Sequence, residues 1–346
     1  MLQISSTGVH PPTFFRRPPA MRTLLSASKL LKVSHIQVRA FATPVTTAPK
    51  LRSLTPSASE RAEGRFGPAN LLLALETLHQ DGIVAIEGVV NEKHLDALNA
   101  RMVPDAYALR DMKGGPYNYN RGNVQQDPPP EPSLFFPDVF LSPFAIQVSN
   151  AAFGNRPKMT FCSGNTALKS TERQPVHTDA DFAQPRIHFA LVVNCGLVEM
   201  TPENGSTELW LGTHTMANLD AQDGLHGDRA SGRIKPDILE ERRNVSPPFQ
   251  PVVPKGSIVL RDLRLWHAGM PNKTDNPRVM LAQIHFAPWY MNQMKLEFPK
   301  GMEGMLQTPH LEVPTNFVDG PIKYLGRAYG NAYDFRQVKT DKWQVD

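Results

Sequence analysis

The sequence predicts an α+β chain, mainly β, in which two leading helices precede a β-sandwich or barrel. Three observations carry that expectation. Apolar residues fall at helical spacing between Pro68 and Met102, short β-rich runs recur from Ile187 to Phe286 with turn residues between them, and no internal repeat organises the chain. With 346 residues, 40% of them hydrophobic, the chain can bury a sizeable core.

The N-terminus stands apart. Residues 1–52 hold eight basic side chains (Arg16, Arg17, Arg22, Lys29, Lys32, Arg39, Lys50, Arg52) and no Asp or Glu. Met21 to Lys32 is amphipathic, with Leu24, Leu25 and Leu31 on one side, and Arg39-Ala-Phe-Ala-Thr43 looks like a processing site. This is the composition of a mitochondrial transit peptide, so residues 1–55 are expected to be presequence and disordered linker outside the fold. A basic tail on a cytoplasmic protein, or a true start at Met21, is the plainer alternative. These eight side chains account for the net charge of +4; the rest of the chain has 29 basic against 33 acidic residues. A mildly acidic body gives no electrostatic reason to hold nucleic acid.

Residues 56–346 read as a single domain. Pro68 to Gln80 is a helix whose Leu71, Leu72, Leu75 and Leu78 form an apolar face, ended by Asp81-Gly82. Gly82 to Val90 reads as a buried strand. Asn91 can cap a second helix that buries Leu95, Leu98 and Met102. From 112 to 137 the chain has loop chemistry, including Asp127-Pro-Pro-Pro-Glu-Pro, and its Tyr117, Tyr119 and Asn120 are candidates to touch substrate. Strands are expected at Ile187–Asn194, Ser206–Leu211, Ser257–Arg261 and Val279–Phe286. The Met- and aromatic-rich section 291–346 suits a packed flap or the contact of a homodimer. No run of about 18 apolar residues occurs, so no membrane-spanning helix is expected. Cys162 and Cys195 make neither a disulfide framework nor a zinc cluster.

The chemistry lies in Gln174-Pro-Val-His177-Thr-Asp179. On a strand, residues two apart face the same way, so His177 and Asp179 could share an ion. Two other His-x-Asp triplets fail on context. His94 and Asp96 diverge on a helix, and His226-Gly-Asp228 lies in a polar loop. A third ligand is His267, after the run Gly256 to Asp262. Arg278 follows it across Pro271-Asn-Lys-Thr-Asp-Asn-Pro277, strong turn chemistry. A hairpin centred on Asn272 and Lys273 would make His267 and Arg278 cross-strand neighbours, with a guanidinium fork set to take a carboxylate. Two imidazoles and one carboxylate without thiolate fit a non-haem Fe(II) oxygenase better than structural zinc.

These motifs, with Glu203-Asn-Gly-Ser-Thr-Glu-Leu-Trp-Leu-Gly-Thr-His214 between them, resemble the phytanoyl-CoA dioxygenase family from about residue 69 to 290. The likeness is to the fungal branch that works on specialised metabolites. It implies a double-stranded β-helix, a jelly-roll or cupin-like barrel. It also implies Fe(II) on His177, Asp179 and His267, Arg278 on the far carboxylate of 2-oxoglutarate, and Gln174 near that co-substrate. Dioxygen is the third participant, and the expected reaction is hydroxylation of a small apolar metabolite such as a polyketide or terpenoid intermediate. A fatty acyl-CoA is the second expectation. It would want basic residues near the cavity mouth, for which only the Lys295/Lys300 and Arg242/Arg243 pairs are candidates. One departure stands out: relatives often carry Ser or Thr two residues after the distal His, and here that residue is Gly269. Asp179 is intact, unlike in halogenating relatives. His188 and His285 read as core histidines, His214 as a residue ordering its loop, and Trp210 and Trp266 as packing.

Overall fold

A computed structural model describes residues 48–224, 231–325 and 334–338. The presequence reading of residues 1–47 and the His226-Gly-Asp228 triplet lie outside the described residues. The chain enters through β1 (Ser53–Leu54), α1 (Ala58–Glu63), α2 (Pro68–Asp81), β2 (Ile83–Ile86) and α3 (Glu92–Asp111). A hairpin of β3 (Tyr117–Asn118) and β4 (Asn120–Gln126) leads to α4 (Pro137–Phe140) and α5 (Pro143–Phe153). Then come β5 (Lys158–Ala167), β6 (Ala190–Gly196), β7 (Glu208–Leu209), β8 (Gln222–Asp223) and β9 (Arg233–Ile234). After α6 (Pro236–Val245) follow β10 (Ile258–Asp262), β11 (His267–Ala268) and β12 (Arg278–Phe286). A parallel pair, β13 (Leu296–Pro299) and β14 (Thr315–Val318), lies beyond them.

Eight strands form the main sheet in the order β1-β2-β10-β6-β12-β5-β4-β3. Facing it is a layer of fragments. β8 pairs with β9, Arg233 of β9 bridges to His177, His177 bridges to His267 of β11, β11 pairs with β7, and Leu209 of β7 bridges to Phe249. Together the two layers are the jelly-roll barrel of a double-stranded β-helix. Alternation along the main strands divides their side chains between two destinations. Leu191, Val193, Leu260, Val279 and Leu281 pack outward with Leu78 of α2, Leu95, Leu98 and Met102 of α3, and Phe144 and Val148 of α5. Val192, Asn194, Arg261, Arg278, Met280, Ala282 and Ile284 point inward and line a cavity.

Several expectations need correcting. The segment assigned to a disordered linker contributes β1, which pairs in parallel with Ala85 and Ile86; Leu54 is buried and Arg52 Nε meets Asp81 at 2.6 Å. α2 begins at Pro68 and ends at Gly82, whose φ of 77° suits a residue without Cβ, but Leu72 is 56% exposed and Ala74 and Thr77 are buried instead. The strand after it is only Ile83–Ile86. α3 is capped by Asn91, whose side chain accepts from the Lys93 amide, and buries the three predicted residues. The Gly/Asn/Tyr stretch read as loop holds β3 and β4. Its strand Asn-Arg-Gly-Asn-Val-Gln-Gln has one apolar residue, Val124, and even Gln126 on the helix side is polar, donating to Met102 O, which hides the strand from hydrophobic patterning. β6 starts three residues later than expected, because Ile187 is 64% exposed.

Candidate metal centre

His177 and His267 are backbone neighbours in a narrow antiparallel bridge: each amide donates to the other's carbonyl, at 2.9 and 3.0 Å. Their rings therefore stand side by side, with centroids 4.3 Å apart. Asp179 reaches the same point from a turn rather than a regular strand. Thr178 Oγ1 accepts from the Ala180 amide and the Thr178 amide donates to Gly232, bending the chain inward. Asp179 Oδ1 lies 3.9 Å from His177 Nε2, and Oδ2 lies 3.8 Å from His267 Nε2. One donor atom from each of the three residues lies within 4.8 Å of the others.

The hydrogen bonds prepare these atoms for a metal. His177 Nδ1 donates to Pro175 O at 2.9 Å and His267 Nδ1 to Leu265 O at 3.0 Å, which leaves both Nε2 lone pairs facing the cavity. Burial drives His177 below the ordinary imidazole value, with Asp179 opposing. It drives His267 further down, reinforced by Arg261. Burial raises the Asp179 carboxyl, but Arg261 and the two imidazoles outweigh it and hold it well below the usual carboxylate range. Two neutral imidazoles and one ionised carboxylate converging on one point are a donor set that fits Fe(II).

Arg278 lies on the same cavity, though not by the expected route. It is opposite Ala167 of β5, and His267 is opposite Leu209 of β7, so no hairpin joins the two. The main sheet and the facing layer each supply one of them, across about 440 Å³ of space. Arg278 Nη2 donates to Gly205 O at 2.8 Å and Nη1 to Asn165 O at 3.5 Å, while Nε is buried with no partner among the described residues. Burial pushes this guanidinium down to about 10, so it stays charged at neutral pH. Gly205, at φ 79°, presses so close that a Cβ would lie 2.5 Å from Met270 O.

Gln174 reaches the site. Its Oε1 accepts from the Gly269 amide at 2.7 Å, and its Nε2 makes a long 3.5 Å contact with Asn118 O. The departure at Gly269 follows from this packing. A Cβ there would sit 2.6 Å from Gln174 Oε1 and 2.8 Å from Asn123 Nδ2, so two carboxamides occupy the volume of the usual hydroxyl residue. Of the three loop candidates, Tyr119 lines the cavity. Its ring lies 4.8 Å from that of His177, and its hydroxyl donates to Ser231 O at 2.7 Å. Tyr117 turns away to donate to Arg110 O, and Asn120 does not line the cavity.

Arg261, Asn165 and the segment Asp334-Phe335-Arg336 escaped sequence reasoning. Arg261 carried a signal, a charge at an inward position of an apolar strand. Phe335 has none, since only tertiary contacts bring it to the cavity. Asn292 Nδ2 donates to the carbonyls of Asp334 and Arg336, Tyr290 Oη to that of Phe335, and the Phe335 ring meets Phe161 edge-on at 5.2 Å. His188, His214 and His285 are structural. His188 Nδ1 meets the buried Asp262 at 2.5 Å, His285 Nδ1 meets Ser149 Oγ, and His214 Nε2 meets His79 O.

A family model described as phytanoyl-CoA dioxygenase matches residues 78–280. The chain belongs to the phytanoyl-CoA dioxygenase family. Its members are Fe(II)- and 2-oxoglutarate-dependent oxygenases, and the cofactor set is Fe(II), 2-oxoglutarate and dioxygen. The chain is 23% identical over 222 residues to "Dioxygenase af480" of Aspergillus fumigatus. That match covers 61% of this chain and 66% of the relative, just under two thirds of its length. Similar solved structures include the α-ketoglutarate-dependent epimerase SnoN from nogalamycin biosynthesis, with TM-score 0.49 and 15% identity over 80% of this chain and 95% of that one. The apo form of EctD from S. alaskensis gives TM-score 0.47 and 16% identity over 69% and 81%. Among the described residues no helix is long and apolar enough to cross a membrane.

Proposed function

We propose that the protein is an Fe(II)- and 2-oxoglutarate-dependent oxygenase that hydroxylates an apolar C–H bond of a small organic metabolite, such as a polyketide or terpenoid intermediate. The observation that carries this reading is the meeting, on one cavity, of a two-His-one-carboxylate cluster and a buried arginine with an unpaired donor. Held by His177, Asp179 and His267, Fe(II) would supply the oxidising power of dioxygen, with 2-oxoglutarate consumed to succinate and CO2.

The chain's own residues position and shield. Arg278 offers its fork to the distal carboxylate of 2-oxoglutarate, and Gln174 and Asn165 give that end of the cavity its polar walls. Further along β12 from Arg278 stand Ala282 and Ile284, with Phe161 and Val192 opposite Ile284; together with Phe182 and Phe335 they would hold an apolar substrate and exclude water. The intact Asp179 favours hydroxylation over halogenation. An acyl-CoA is less well served. Lys300 is paired with Asp319, Arg242 donates to Leu211 O and Arg243 lies over the Trp210 ring, and with Lys295 none of these lines this cavity. The acid-free N-terminus supports import into mitochondria as part of this reading.

The test is anaerobic titration of the metal-free protein with Fe(II) and 2-oxoglutarate, watching for the visible metal-to-ligand charge-transfer band of the chelate. The band should form in wild type. In Arg278→Ala it should need a 2-oxoglutarate concentration higher by roughly thirty-fold, because the loss of a charged hydrogen-bonded pair costs about 2 kcal/mol. Folded wild-type protein that forms no band overturns the cofactor assignment.

A further inference from the structure

A buried cation stands beside the candidate ligands without a part in the reaction described above. Arg261 lies in the middle of the main sheet, its backbone paired on one side with Ile83 of β2 and on the other with Val192 of β6. Its guanidinium reaches across the barrel, where Nη2 donates to Asp179 Oδ2 at 2.6 Å. Asp179 itself sits in an irregular turn between two bridged segments, and this contact is its one short hydrogen bond among the described residues. The most regular part of the molecule thus grips the ligand on the least regular backbone.

We propose that Arg261 is a positioning residue for the metal centre, holding Asp179 by Oδ2 so that the carboxylate presents Oδ1 alone to the metal. This rests on the iron-site reading above. A carboxylate free to turn can bind a cation through both oxygens. In a two-His-one-carboxylate centre a second oxygen would take a position that 2-oxoglutarate or dioxygen needs. Arginine suits the task because its planar fork fixes direction as well as charge, and its stem is anchored in a ladder. Stability is a weak explanation for the pair, since buried ion pairs are often no better than apolar side chains of similar volume. Arg261 Nη1 also lies 3.3 Å from His267 Nδ1, so one guanidinium abuts two of the three ligands.

The experiment uses the purified full-length protein and Co(II), whose visible bands report coordination directly without turnover. Arg261→Met should raise the Co(II) Kd by ten- to a hundredfold, the scale on which outer partners of metal ligands act, and should change the band shape. Arg261→Lys keeps the charge and one donor, and should restore the Kd to within about threefold of wild type while leaving part of the band change. A folded Arg261→Met protein with wild-type Kd and band overturns the proposal. If that variant does not fold, Arg261→Gln keeps a donor without the fork and is read in the same way. His267→Ala separates the two levels of argument. If it binds Co(II) like wild type, the metal-site reading itself is wrong; if it loses Co(II) while the Arg261 variants do not, only the positioning role falls.

Discussion

The main sheet has strands of up to ten residues held by long ladders, the β12–β5 ladder shifting register once at Ile284/His285, whereas the facing layer consists of two-residue strands and single bridges. The facing side nevertheless supplies all three candidate iron ligands, and the main sheet supplies Arg261 and Arg278. The difference follows from the pleat. A regular strand spreads its side chains along parallel lines, so it can build a wall and anchor a long side chain. It cannot turn three short side chains onto one point. Convergence needs backbone that leaves the pleat, as at the turn carrying Asp179. Such backbone needs holding from elsewhere: Arg278 reaches to Gly205 O and Arg261 to Asp179.

If the two regions divide labour in this way, substitutions should separate activity from stability. The largest effect is expected at the facing layer. His267→Gln should lower turnover by roughly three orders of magnitude or more, since nothing replaces the metal's activation of dioxygen. Urea unfolding of its metal-free form should shift by only about 1 kcal/mol. On the main sheet, Leu281→Ala should cost about 3 kcal/mol of unfolding free energy, because the side chain is fully buried against the helices. Its folded fraction should keep turnover within about twofold of wild type. A Leu281→Ala enzyme that is stable but inactive would break the division.

The smallest effect is a pH dependence. Burial pushes His285 of β12 down to about 4 from an ordinary 6.5, as the ring sits against Ser149 with Nε2 unpartnered among the described residues. The unfolded chain therefore takes up the proton first as pH falls. Stability from this group is complete above about pH 6.5 and is lost as pH drops towards 4, by at most about 3 kcal/mol. Burial likewise holds His214, near the facing layer, at about 4. His285→Gln should remove only the main-sheet share of the acid sensitivity measured by urea unfolding. An unchanged pH dependence would refute the burial argument.

Much of the site was legible because chemistry restricts residue type. His177, Asp179, His267 and Arg278 could be singled out by type, spacing and turn context, and they do share one cavity. The geometric reasons given for them were not the ones the molecule uses. Asp179 lies in a turn, and Arg278 opposite Ala167 rather than His267. Helices α2 and α3 were legible through apolar spacing and the Asn91 cap, whereas α1, α4, α5 and α6 were not read. β3 and β4 were not legible, because β4 is polar on both faces, with Val124 its one apolar residue, and so lacks the alternation by which strands are read; the ten-residue β5 also went unread.

By itself the sequence determined the helix pair α2 and α3, four of the eight strands of the main sheet (β2, β6, β10 and β12), the candidate donor set and the absence of a long apolar span, since each is a local matter of residue type and periodicity. Only the tertiary structure decided which strands pair and that β1 extends the sheet. It alone brought Arg261 to Asp179, set Gln174 and Asn123 in the space beside Gly269, and laid Phe335 along the cavity. The physical reason is that local spacing fixes which way a side chain leaves its own backbone, while what it meets there depends on elements as much as 223 residues away, as between Arg101 and Tyr324. Those distant contacts are selected by burial and hydrogen bonding in the assembled barrel rather than by any pattern within a single segment.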